Sequence, residues 1–163
     1  MRSVIAVYVE NKYGVLTRVA GLFMRKGFNI DSLTVGETDD PKFSRITITF
    51  NGDELVREQL INQLKKLYNV KQVKPLEEKT SVERELMMIK VQNRPETRSE
   101  VVAASEIYRA KIIDYTTDAM SVEVTGEPSK INAFIEVMKP LGIIEMCRTG
   151  VVALERGSSI LEK

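Results

Sequence analysis

A chain of 163 residues is long enough for one ordinary domain or two small ones, and 43% hydrophobic with 29% charged residues excludes a disordered chain. Lys and Arg number 24 against 23 Asp and Glu, interspersed, for a formal net charge of +1, which argues against a long polyanionic partner. Histidine is absent and there is one cysteine; an intrachain disulfide is impossible, and a zinc or other transition-metal site is disfavoured.

Residues 4–9, Val-Ile-Ala-Val-Tyr-Val, form a short β-branched run that predicts a largely buried strand. After a break at Glu10 to Gly14, Val15, Leu16, Val19, Leu22 and Phe23 recur at helical spacing, and Lys26-Gly27 stops the helix. Ile30 to Val35 and Arg45 to Phe50 predict two strands joined across Asp39-Asp40-Pro41. A second helix carries Val56, Leu60, Leu64 and Leu67, and Val70 to Leu76 supplies a fourth strand. The polar stretch 77–84 predicts a linker. The same order then restarts: strand Leu86 to Val91, helix Ser99 to Arg109, strands Lys111 to Tyr115 and Met120 to Thr125. A helix after Pro128 follows, with Ile143 to Cys147 and Val151 to Leu154 completing the second sheet. No apolar run reaches the ~18 residues of a membrane span and no signal peptide precedes the first strand, so the cytoplasm is expected.

The halves superpose as sequence. Val7, Val9 and Asn11 fall on Ile89, Val91 and Asn93 at an offset of 82; Asn51-Gly52, Leu67, Val70 and Val73 fall on Thr125-Gly126, Leu141, Ile144 and Cys147 at 74. This alignment puts Cys147 in a core and predicts an α+β chain of two tandem ferredoxin-like βαββαβ modules. Their expected bounds are 1–76 and 85–163, with the linker at 77–84. Helices on one face of each sheet leave the other face or an edge to be covered.

The turn from the first strand into the first helix, Glu10-Asn11-Lys12-Tyr13-Gly14, brings free backbone N–H groups and the positive end of a helix dipole together. Gly14 permits a close approach by a carboxylate, Asn11 offers an acceptor and donors that suit a zwitterion, and Thr17 adds a hydroxyl. The plainer reading is that Asn11 caps the turn and Gly14 fits it. In the second copy the turn is Asn93-Arg94-Pro95-Glu96-Thr97, where Glu96 would repel an anion and Pro95 lacks an N–H. The asymmetry points to a site in the first module. Asn29, opening the second strand, is either a turn residue or a group reaching into an adjoining module's pocket. Glu37, Asp39 and Asp40 crowd a loop that either holds a divalent ion weakly or is simply solvated.

Asn11-x-x-Gly14-Val15-Leu16-x-Arg18-Val19 with Gly27-Phe28-Asn29-Ile30 resembles the opening of an ACT domain, a ligand-sensing module of amino-acid metabolism. The whole chain resembles the small regulatory subunits of acetolactate synthase (acetohydroxyacid synthase). Glu106-Ile107-Tyr108-Arg109-Ala110-Lys111-Ile112-Ile113-Asp114 and Arg148-Thr149-Gly150-Val151-Val152-Ala153-Leu154 carry that likeness into the second module. The resemblance implies a non-catalytic homodimer, paired through its first ACT domains. It implies a large catalytic partner using thiamine diphosphate, Mg and FAD, and feedback inhibition by valine, with no cofactor in the small subunit itself. It also implies an effector at the interface between two first domains, with Asn11, Gly14 and Thr17 from one subunit and Asn29 from the other. Val15, Leu16 and Ile30 would form an apolar recess. The second domain would contribute to activation. Tyr13 departs from the family's commoner small residue or proline; it either narrows the pocket or faces solvent.

Three alternatives share the topology. An acylphosphatase needs an arginine-bearing phosphate cradle in the first turn, which here offers Lys12. An RNA-binding module needs aromatic platforms on its central strands, which here offer only Tyr8 and Phe50. An ACT-based sensor for a different biosynthetic enzyme is the third.

Overall fold

The computed structural model describes residues 1–161. In chain order the elements are β1 (Arg2–Glu10), α1 (Val15–Arg25), β2 (Ile30–Glu37), β3 (Phe43–Asn51), α2 (Glu54–Leu64) and β4 (Val70–Pro75). The order then repeats with β5 (Ser81–Gln92), α3 (Arg98–Ile107), β6 (Lys111–Tyr115), β7 (Ala119–Gly126), α4 (Pro128–Met138), a 3-10 turn (Lys139–Leu141) and β8 (Ile143–Arg148). A last strand, β9, is Val152–Glu155. The sheets run β2-β3-β1-β4 and β6-β7-β5-β8, antiparallel along both orders, and β9 joins the second sheet by pairing with β5. The expected two βαββαβ modules are therefore present.

Periodicity explains both cores. In α1 the positions Val15, Val19, Leu22 and Phe23 share one face, and they meet Ile5, Val7, Val9, Ile46, Ile48 and Phe50 from the inward face of the first sheet. In the second module Val101 and Ala104 of α3, with Ile131, Phe134 and Met138 of α4, cover Met87, Ile89, Val91, Met120, Val122 and Val124. Gly27 (φ +75°) turns the chain out of α1 with Phe28 N–H donating back to Phe23 O at 3.0 Å; Arg109 (φ +54°) occupies the same left-handed position after α3, with Ala110 N–H on Ser105 O at 2.8 Å. Arg109 therefore lies beyond the helix that the sequence carried through it.

The compact units divide the chain differently from the expected bounds. One unit holds Met1–Val82 together with the tail from Val151; the other is Glu83–Gly150. The stretch read as linker ends early, because Ser81–Arg84 already belong to β5. Val151 to Leu154 is expected to complete the second sheet, and β9 does pair with β5 of that sheet, while its packing places it in the first unit. There Ala153 and Leu161 bury against Val4, Ala6 and Leu76 on the face of the first sheet opposite its helices. Arg45 donates to Ala153 O (2.7 Å), Lys74 pairs with Glu155 (2.7 Å), and Arg156 N–H reaches Thr80 O (2.8 Å). The tail is the cover that this sheet face required.

Cys147 is exposed, against the expectation of a core position. The strand registers give the reason. Val73 pairs with Val7 and Met146 with Ile89, so β4 and β8 correspond at an offset of 73, one less than the sequence alignment used. Cys147 pairs with Met88 and matches Lys74, not Val73; a one-residue slip turns every side chain to the other face.

The repeat also isolates a defect. Thr97, at the start of α3, stands where the first module has Val15, and its Oγ1 is buried without a hydrogen-bond partner. Replacing it with isosteric valine removes an unsatisfied hydroxyl, and Thr97→Val is expected to gain about 1 kcal/mol. Calorimetric melting checks this as a rise of about 2–4 °C; an unchanged or lower midpoint would show that the hydroxyl is satisfied in solution.

Candidate functional site

The β1–α1 turn is fastened to the β2–β3 hairpin through Asn11. Its backbone N–H donates to Lys42 O (2.7 Å), and its side-chain amide donates to Pro41 O (3.0 Å) and Glu37 Oε1 (3.2 Å). The second copy repeats this with Asn93, whose N–H reaches Asp118 O (2.9 Å) and whose amide reaches Thr116 O (2.6 Å). An asparagine at this corner is thus demanded by the fold in both modules. What differs is access. Asn93 is buried and its Oδ1 accepts from Arg98 Nε at 2.7 Å, whereas Asn11 is exposed.

Gly14 is the N-cap of α1 in the left-handed region (φ +78°), and a Cβ built on it meets nothing within 4 Å. The glycine is required by the backbone angle, and the space above it is open. No side chain caps the helix there, so by helix geometry the N–H groups of Leu16 and Thr17 lack intrahelical acceptors. Leu16 and Thr17 are exposed beside them. Val15, expected in the apolar recess, turns instead into the core, 4% exposed, because positions 15, 19, 22 and 23 share the buried face. Only its backbone faces the turn. Tyr13 projects fully into solvent.

Asn29 and Ile30 do not join this cluster within one chain. They follow the C-terminal end of α1, and a helix of 11 residues separates them from Gly14 by about 16 Å. Asn29 is exposed, and Ile30 is half-buried at the start of β2, an edge strand.

Beneath the turn runs a polar chain that the sequence reading did not single out. Arg18 donates to Asn69 Oδ1 (2.6 Å), and Asn69 Nδ2 donates to Glu10 Oε2 (3.3 Å). Glu10 also pairs with Lys71 (2.8 Å) and Lys12 (2.9 Å), and these two ammonium groups, Lys71 first, hold its carboxyl down at about 2. Only the i,i+2 spacing of Glu10 and Lys12 hinted at it; the other partners lie about sixty residues away in sequence.

The acidic loop does not gather into a metal centre. Glu37 accepts from Asn11 and Asp40 Oδ1 accepts from Lys42 N–H (3.0 Å). Among the described residues no group of three or more His, Cys, Asp or Glu converges. No helix of the described residues is long and apolar enough to cross a membrane. Two cavities lie elsewhere. One of about 270 Å³ is lined by Arg45, Lys74, Leu76, Glu155 and Leu161 beneath the tail; another of about 300 Å³ lies on the second sheet beside Met88, Lys90, Ile113 and Cys147.

Comparison with known proteins is specific over both modules. Residues 5–72 match a family model described as an AHAS small subunit-like ACT domain, and residues 84–157 match one described as the small subunit of acetolactate synthase. The chain is 52% identical over 158 residues to a probable acetolactate synthase small subunit of Archaeoglobus fulgidus, covering 97% of this chain and 99% of that one. It is 44% identical over 162 residues to the acetolactate synthase isozyme 3 small subunit of Escherichia coli, covering 99% of both. The crystal structure of an acetolactate synthase small subunit from Thermotoga maritima superposes with a TM-score of 0.90 at 40% identity, covering 98% of this chain and 99% of that one. Matched along its length in sequence and fold, the chain belongs to the family of acetolactate synthase small subunits.

Proposed function

We infer that this chain is a non-catalytic regulatory subunit, working in the cytoplasm, that activates a thiamine-diphosphate-dependent catalytic chain and makes it sensitive to valine. Mg and FAD, with the thiamine cofactor, would belong to that catalytic chain. The observation that carries the reading is the asymmetry between modules: the first has an open helix start over Gly14, and the second places Glu96 at the matching position. A feature imposed by the fold alone would recur in both.

The chemistry suits an amino acid. Its carboxylate would sit on the N–H groups of Leu16 and Thr17, where the α1 dipole favours negative charge. Its ammonium would find Asn11 Oδ1, since the amide protons of that side chain are engaged by Pro41 and Glu37. Leu16 offers an apolar neighbour for a short branched side chain. Asn29 and Ile30 would come from a second copy. Pairing two β2 edges antiparallel about a two-fold axis brings the start of one strand to the end of the other, and β2 ends at Glu37, beside Asn11. The first module would thus carry effector and dimer edge, while the second contributes to activation. Valine shifts activity if it binds the activating and non-activating dimers unequally, and a shared site supplies that difference.

The test is titration calorimetry with valine on the intact chain and on two variants. Gly14→Ala and Gly14→Asp strain the left-handed turn alike, and neither Cβ meets an obstacle. Gly14→Asp adds a carboxylate, and affinity is expected to fall about tenfold further than in Gly14→Ala. Equal binding by both variants would remove the site from this turn.

A further inference from the structure

At the end of the first module that carries the start of α1, the end of α2 and the start of β4, three cations are tied to one carboxylate and a fourth stands on the adjoining turn. Lys12 and Lys71 both bind Glu10, and Arg18 reaches the same carboxylate through Asn69. Lys66 is exposed on the turn between α2 and β4. Two tyrosines stand among them with no packing role: Tyr13 is fully exposed, and Tyr68 is 84% exposed with Lys71 Nζ 5.9 Å from its ring centre. A chain with a net charge of only +1 has therefore concentrated positive charge and aromatic surface in one place. The nearby carboxylates of Glu37, Asp39 and Asp40 sit on the β2–β3 hairpin, across β1 from β4.

The second module shows that the fold does not require this. There Lys12, Tyr13 and Arg18 become Arg94, Pro95 and Glu100, and Lys66 becomes Pro140. The backbone bond from Glu10 N–H to Asn69 O corresponds to Gln92 N–H on Gly142 O, so Asn69 matches Gly142 and Lys71 matches Ile144. One residue is missing between Leu141 and Gly142, at the position of Tyr68. Of the four cations only Lys12 keeps a cationic counterpart, Arg94, and neither tyrosine, nor the turn that presents Tyr68, has a counterpart in the second copy.

We propose that this end of the first module is a docking surface for an acidic segment of the catalytic chain, with Tyr13 and Tyr68 as anchors and Lys12, Arg18, Lys66 and Lys71 complementing its charge. Tyrosine and arginine are enriched at the energetic centres of protein interfaces, and lysines suit the charged rim around them. A nucleic acid fits less well, because four cations with Glu10 in their midst fall short of the six to ten phosphate contacts typical of polyanion binders. The surface borders the start of α1, so a partner held here would lie next to the effector turn. The proposal rests on the regulatory reading given above.

The experiment reconstitutes the full chain with its catalytic subunit and follows acetolactate formation as the small subunit is titrated, at about 50 and about 300 mM KCl. Wild type is expected to activate, with a half-saturating concentration that rises with salt. Tyr68→Ala and Lys66→Glu are each expected to raise it about tenfold or more. Valine binding, measured on the variants alone, is expected to stay within about twofold of wild type, which shows that they are folded. Half-saturation unchanged in both variants would overturn the docking surface while leaving the regulatory reading intact. Wild type that fails to activate at any concentration would overturn the reading, and this proposal with it. Loss of self-association by gel filtration would reassign the surface to a second copy. Loss of binding to a fluorescent single-stranded RNA, with activation intact, would reassign it to nucleic acid.

Discussion

Arg148→Met is expected to destabilise the second module by about 3 kcal/mol, because it strands a buried carboxylate. Arg148 grips Glu85 with both arms of its guanidinium, Nε on Oε1 at 2.6 Å and Nη2 on Oε2 at 2.8 Å, and spends Nη1 on Asn132 at 3.0 Å. The Glu85 side chain is only 3% exposed, whereas that of Arg148 is 32% exposed. Water can therefore enter where the guanidinium was, which places the cost at the low end of the range for breaking a buried pair. Thermal melting would show a fall of about 6–12 °C for a chain of this length. The control is the double variant Glu85→Leu, Arg148→Met, which removes the charge together with its partner. If the double variant is as unstable as the single one, lost packing rather than stranded charge explains the effect.

The larger loss is expected on removing the tail. A chain ending at Gly150 lacks Ala153 and Leu161, which cover Val4, Ala6 and Leu76, and lacks the acceptors of Arg45 and Lys74. Burial of Leu161 and Val151 alone is worth about 3–4 kcal/mol at ordinary transfer values. The shortened chain is expected to melt at least ~8 °C lower, on the scale of about 2–4 °C per kcal/mol. Amide exchange separates this from general damage: β1 and β4 should lose protection while β7 keeps it. Uniform loss across both sheets would mean that the tail stabilises something other than the first sheet.

Most of the fold was legible because hydrophobic spacing reports which face of each element is buried. Val19, Leu22 and Phe23 in the first module sit where their spacing puts them; α3 was less legible, since Val101 and Ala104 turn inward while Ile107 is exposed. The misses share a cause: pairing at long range. Cys147 was misplaced by one residue because a deletion between Leu141 and Gly142 shifts β8, and apolar residues on both sides hide the slip. Ser81 to Arg84 read as linker because a stretch rich in charge and hydroxyls rarely opens a strand, yet they begin β5, which carries Glu85 just beyond them. Glu85 is tolerated there only through Arg148, 63 positions away. At the site, the helix start and Gly14 were readable from the turn's composition. That Asn11 serves the fold as Asn93 does needed the hairpin carbonyls, which no local pattern specifies.

The tail has one more consequence, which concerns topology rather than burial. Since the first unit contains both the beginning of the chain and everything from Val151 onward, the second is a guest inserted into a host. The chain crosses between them twice, at Val82–Glu83 and at Gly150–Val151. A protease that nicks one crossing leaves the guest covalently held by the other. A displacement originating in the host's sheet likewise has two covalent routes into the guest.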